Sequence, residues 1–124
     1  MPIVFGVALG GALGASARYG LDRWIEQRTT SLFPWATFTI NITGCFVIGV
    51  LTASIVERQH LPAWVRIGLV VGVVGGYTTF STFAQETFEL GEVHHVATAF
   101  AYVAASVILG LAAVYAGTLA GRAL

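Results

Sequence analysis

Between Gly75 and Phe83 the chain reads GGYTTFSTF. Two glycines are followed by the hydroxyls of Thr78, Thr79, Ser81 and Thr82 and by the rings of Tyr77, Phe80 and Phe83. The stretch lies inside an apolar run, where a loosened backbone and displayed hydroxyls need a reason. A Gly-Gly pair weakens a helix, and carbonyls freed at membrane depth coordinate cations. Hydroxyls donate either to an anion or back to the backbone. Aromatic ring edges are electropositive, so they favour a small anion where a carboxylate would repel it. Tyr77, Phe80 and Phe83 recur every three residues, and their rings can stack along one side. The chemistry on offer is ion coordination, and the stretch reads as part of a small-ion pathway.

Other polar residues at depth are few. Asn41 is the most polar uncharged side chain in its segment, and an amide in hydrocarbon needs partners. It serves either as an interhelical hydrogen bond or as a donor facing a water-accessible path. Thr98, Tyr102, Ser106 and Gly110 fall at intervals of four and make one mildly polar helical stripe. Arg18 sits within an apolar segment, where a charge costs at least about 2.5–3.5 kcal/mol near the bilayer centre. It either snorkels to an interface or faces protein and water. His60, His94 and His95 all lie in short connections, without a serine–base pair or metal-ligand spacing, which disfavours an enzyme. Cys45 is the single cysteine; it excludes an intrachain disulfide and reads as a small buried hydrophobe.

The elements that must position these residues are transmembrane helices. Of 124 residues, 56% are hydrophobic and 10% charged, too little charge to cover a soluble domain of this length. A mean hydropathy of +0.82 agrees with an integral membrane protein. Formal net charge is zero, which leaves no basic footprint for nucleic acid. Apolar runs predict four helices over about 2–24, 33–56, 63–89 and 95–121, a single transmembrane domain covering 1–124. The runs are continuous and not alternating, against a β-barrel. Ala15 to Ala17 resembles a signal-peptide cleavage site, but no basic residue precedes the run and Gly6, Gly10, Gly11 and Gly14 loosen it, so cleavage is not expected. Gly6, Gly10 and Gly14, and again Gly68, Gly72 and Gly76, form ladders that let helices approach closely. The third helix is expected to break near its middle, at Gly75-Gly76.

In a four-span topology Arg58, Arg66 and Arg122 lie on one side and Arg18, Arg23 and Arg28 on the other. That balance gives no positive-inside preference. Four short helices enclose little interior, so oligomerisation is expected. A small proton-coupled exporter of the small multidrug resistance type is the alternative reading. It needs a membrane-embedded carboxylate, whereas Asp22 and Glu26 end the first segment and Glu86, Glu89 and Glu92 crowd the end of the third. A purely structural bundle is disfavoured by the broken helix with its hydroxyls.

Three motifs, in order, carry a resemblance that spans essentially the whole chain: GGALGASARYG (Gly10 to Gly20), TFTINITGCFVIG (Thr37 to Gly49) and GGYTTFSTF. The sequence resembles the Fluc (CrcB) family of small membrane fluoride channels. The resemblance implies a dual-topology, antiparallel homodimer in the cell (inner) membrane, passing fluoride passively through two pores to relieve its toxicity. It implies that Phe80 and Phe83 line the fluoride pathway with their ring edges and that Asn41 donates to the ion. Tyr102 and Ser106 match polar pore positions, and Ser81 and Thr82, with Thr79, lie in the hydroxyl motif. Arg18 matches a basic vestibule residue. Gly75 and Thr78 match residues whose backbone carbonyls bind a structural sodium at the dimer interface. Gly110 departs from the pattern, since some relatives carry a hydroxyl residue there.

Overall fold

The computed structural model describes residues 2–57 and 61–124; Arg58 and His60, named above, lie outside them. Among the described residues there are only helices, and four are long and apolar enough to cross a membrane: Ile3–Glu26, Trp35–Val56, Ala63–Glu92 and Val96–Ala123. Helix α1 (Ile3–Glu26) stops where Thr29 and Ser31 turn the chain with their hydroxyls, Thr29 accepting from the Ser31 amide and Ser31 from that of Phe33. Pro34, which has no amide to lose, stands at the N-cap of α2 (Trp35–Leu51). That helix widens into a π-helical turn over Thr52–Val56, where Ser54 donates to the Val50 carbonyl at 2.6 Å.

The third span is built in pieces. A short α3 (Ala63–Ile67) runs into a π-helical segment, Gly68–Val74, then into α4 (Gly75–Tyr77), and resumes as α5 (Phe80–Glu92). The break is at Thr78 and Thr79, both extended, with φ/ψ of −81°/160° and −149°/117°. It therefore falls one turn beyond the glycine pair expected to cause it. Gly75 and Gly76 remain helical, and Gly76 is a packing residue: a Cβ there would lie 2.9 Å from the Gly11 carbonyl oxygen. Helix α6 (Val96–Ala123) follows a turn in which His94 takes a positive φ of 64°.

The two glycine ladders face one another. A Cβ on Gly10 would run into the Gly68 carbonyl and stand 3.0 Å from the Val73 amide, and one on Gly72 would lie 3.0 Å from the Gly10 Cα. A second close pairing, not evident from the ladders above, joins α2 to α6: Gly49 lies against Val114 and Thr118, Gly117 against the Phe46 backbone, and Gly121 against Val50. Backbone-to-backbone approach of this kind gives van der Waals contact where lipid offers no hydrophobic drive. Little is enclosed. The largest fully buried side chains are Tyr102, Ile40 and Thr37, while Val4, Phe80, Phe100 and Leu111 are at least two-thirds exposed.

This packing yields a contrast between adjacent glycines. Gly10→Val is expected to cost about 1–3 kcal/mol by overpacking, whereas Gly11→Ala points into open space and costs nothing, with a gain of up to about 1 kcal/mol from helix propensity. Thermal unfolding of both variants in one detergent measures the difference.

Candidate functional site

At the break, several groups keep their helical partner or find a substitute for it. The Thr78 amide and hydroxyl both donate to the Val74 carbonyl, at 2.9 and 3.0 Å. The Thr79 amide donates to Asn41 Oδ1 at 2.8 Å, and Asn41 Nδ2 donates to the Thr79 carbonyl at 2.9 Å. Thr79 also caps α5, its Oγ1 accepting from the Thr82 amide at 3.3 Å and donating to Thr82 Oγ1 at 3.0 Å. The amides of Thr79 and Thr82 are thus turned away from the carbonyls of Gly75 and Thr78, their partners in an unbroken helix. The Thr78 carbonyl instead accepts a long hydrogen bond, 3.4 Å, from Arg18 Nη1.

Two open clefts flank this point, and Thr79 lines both. One is bordered by Asn41, Gly44, Cys45, Val74, Thr78 and Phe80. The other is bordered by Arg18, Tyr19, Asp22, Thr37, Thr79 and Thr82. Arg18 is half-buried and reaches protein groups, as one of its two sequence readings required. Both readings of Asn41 remain compatible with its geometry: its oxygen and one N–H bind Thr79, and an amide has a second N–H to give.

The rings divide differently from the expected row of three. Phe80 and Phe83 lie 5.7 Å apart by centroid, and Phe83 meets Tyr102 edge-on at 5.0 Å. Tyr77 does not continue this row, because two extended residues separate it from Phe80 and remove the helical register. Its hydroxyl pairs with Thr43 Oγ1 at 2.8 Å. Ser81 and Thr82 are exposed on the first turn of α5. Ser106, one turn beyond Tyr102, has a buried Oγ with no hydrogen-bond partner among the described residues. A Cβ on Gly110 would make ordinary contact with Cys45 Sγ at 3.5 Å, so a small hydroxyl residue fits there.

Glu86 is the residue whose partners the sequence reading missed. Grouped above with Glu89 and Glu92 as an end-of-span acid, it lies half-buried and joins three spans. It accepts from Thr37 Oγ1 at 2.7 Å and from the Tyr102 hydroxyl at 2.6 Å. The available signal was its register, since Glu86 shares a helical face with Phe83 and Leu90, which pack in the aromatic cluster around Tyr102. Thr37 lies in the first turn of α2, so this junction sits at the same end of the bundle as Asp22 and Glu26, and no acid lies at mid-span among the described residues.

Comparison with known proteins separates the channel from the exporter independently of that argument. Residues 5–118 match the family model described as CrcB-like protein, Camphor Resistance (CrcB). A Fluoride-specific ion channel FluC of Paracoccus denitrificans is 48% identical over 120 residues, covering 95% of this chain and 93% of that protein. The protein of the same name from Acidobacterium capsulatum is 46% identical over 117 residues, 94% of this chain and 93% of its own. That of Nitrobacter winogradskyi is 46% identical over 118 residues, 92% and 90% of the two chains.

The Glu86 junction makes a stability prediction. Tyr102→Phe removes a buried donor and leaves a carboxylate oxygen short, at an expected cost of about 1–3 kcal/mol. Thr37→Val should cost a similar amount, and the double variant less than the sum because the two donors serve the two oxygens of one carboxylate. A double-mutant cycle by thermal unfolding tests this.

Proposed function

The chain belongs to the CrcB-like family, and from that membership we infer that it is a fluoride-specific ion channel, a multi-pass membrane protein that passes the anion without coupling to another reaction. The relatives' names support a channel and give no support to the proton-coupled exporter. The observation that carries the reading is the break at Thr78–Thr79, with an amide donor, Asn41, and ring edges, Phe80 and Phe83, gathered beside it. From an acidic exterior fluoride enters the cell as the neutral acid, loses its proton at the higher interior pH and is trapped as the anion. A negative-inside potential then drives it out through an open pathway, at about 2.3 kcal/mol per charge per 100 mV. The inner membrane is where that potential acts.

Each candidate residue has a part in this reading. The Asn41 N–H not used on Thr79 donates to fluoride. Phe80 and Phe83 replace part of its water shell with ring edges. Tyr102, Ser106, Ser81 and Thr82 supply hydroxyls along the track; the unpartnered Ser106 Oγ supports this, since a buried hydroxyl without a partner calls for one from outside the chain. Arg18, in the cleft with Tyr19 and Asp22, draws anions to the mouth.

The functional unit in this reading is an antiparallel homodimer. Its supports are the even division of arginines and the exposure of Phe80 at 79%, an unfavourable state for a pore-lining ring on a lone chain. A two-fold axis in the membrane plane brings the two breaks together. The Gly75 and Thr78 carbonyls of both copies then fit a structural sodium ion. Gly75 carbonyl has lost its helical donor and Thr78 carbonyl holds only one long hydrogen bond, so both have lone pairs to give. The cation supplies a fixed positive charge that offsets the field of nearby anions.

Fluoride efflux from proteoliposomes, with chloride as control, tests the channel itself. Phe80→Ile and Phe83→Ile keep bulk and remove the quadrupole; each is expected to slow fluoride efflux at least about tenfold, or about 1.4 kcal/mol, while the dimer still assembles. Unchanged efflux from both variants removes the rings from the pathway. For the dimer, tags on the C-terminus should be accessible from both sides of intact membranes in about equal numbers. A single orientation with full efflux defeats the antiparallel arrangement.

A further inference from the structure

We infer that Asn41 is the residue that holds the third span open, and that in doing so it releases the Gly75 carbonyl for the cation. In an unbroken helix the Thr79 amide would donate to the Gly75 carbonyl four residues back. Here it donates to Asn41 Oδ1 at 2.8 Å while Asn41 Nδ2 donates to the Thr79 carbonyl at 2.9 Å. The side-chain carboxamide satisfies both groups of one residue at once, as a neighbouring strand does. The pairing also fixes which end of the carboxamide is oxygen, because only Oδ1 can accept the Thr79 amide.

Burial gives this exchange its force. Thr79 is 9% exposed, so its amide is largely shielded from water, and an unpaired buried amide is costly. The acceptor that an unbroken helix offers it is the Gly75 carbonyl, and taking it would close the break and occupy that oxygen. Asn41 therefore acts at both ends of one hydrogen-bonded unit. One N–H is left for the anion, and the oxygen, through the Thr79 amide, keeps a carbonyl available on the other side. A second tether joins α4 to α2. Thr43 donates its hydroxyl to the Thr39 carbonyl at 2.7 Å, which leaves it accepting from the Tyr77 hydroxyl at 2.8 Å. That tether touches neither the Thr79 amide nor the Gly75 carbonyl, and it serves as the control.

The inference rests on the cation reading of Gly75 and Thr78, and the experiment separates the two. The purified protein and its variants are melted in sodium chloride and in N-methylglucamine chloride at equal ionic strength. A ligand that binds only the folded state raises the midpoint, so the unmodified protein should melt higher in sodium. Asn41→Asp keeps an oxygen for the Thr79 amide, and should retain the sodium-dependent rise although fluoride efflux is lost. Asn41→Leu offers no acceptor and should lose the rise. Thr43→Val should retain it. No sodium response in the unmodified protein overturns the cation reading and this inference with it. A full rise in Asn41→Leu, or its loss in Asn41→Asp, overturns the inference alone. Should Asn41→Leu not fold, amide hydrogen exchange on the unmodified protein decides: the Thr79 amide is expected to be protected equally with and without sodium, and fast exchange there overturns the clamp.

Discussion

The paired hydrogen bonds between the Asn41 carboxamide and the Thr79 peptide groups are the contact on which the rest of the site depends. A helix in hydrocarbon cannot be interrupted unless the released groups find partners. Asn41 supplies a donor and an acceptor at one residue, the Thr79 hydroxyl caps the following helix, and Val74 collects the Thr78 amide and hydroxyl. With those demands met, the carbonyls of Gly75 and Thr78 keep capacity to spare. The stretch that displays hydroxyls in an apolar run uses much of that polarity on itself. Thr78 and Thr79 stabilise the interruption, and Ser81 and Thr82 stand exposed beyond it.

A break held this tightly needs rigid neighbours, and glycine provides them by allowing backbone contact. The ladder of α1 lies directly on the π-helical segment of the third span, and Gly49, Gly117 and Gly121 bring α2 and α6 equally close. Between these two tightly packed pairs sits a small polar and aromatic interior. Tyr102 is its centre: fully buried, edge-on to Phe33 and Phe83, with its hydroxyl on Glu86. Glu86 in turn binds Thr37 of α2, so one carboxylate joins three of the four spans. The strong hydrogen bonds that a carboxylate accepts suit it to that role in a bundle with almost no apolar core.

The chain's outer surface is unfinished as well as apolar. Phe80 carries an electropositive ring edge into open space beside the Asn41 cleft, and Gly75 is exposed one turn before the break. In the proposed dimer both features gain a partner, and the balance of arginines allows the second copy to be inverted.

The sequence by itself determined the four spans, the helical class and the family, because each rests on information that is local or additive along the chain. Run length and hydropathy define a span whatever its neighbours do, and three motifs in order identify a family without coordinates. It also marked Asn41, Phe80, Phe83 and Arg18 as unusual, since a polar group or a loosened backbone in an apolar run is visible in one dimension. Tertiary structure alone decided where the third span breaks. Gly75 and Gly76 have the weaker helical propensity, yet both stay helical, Gly76 packed against Gly11 and Ala15 of α1, and the interruption moves to Thr79, where Asn41 waits 38 residues away in sequence. Tertiary structure likewise took Tyr77 out of the ring row and drew Glu86 inward. A hydrogen bond between spans has no signature in either span, and a partner on another helix outweighs a propensity difference of about 1 kcal/mol.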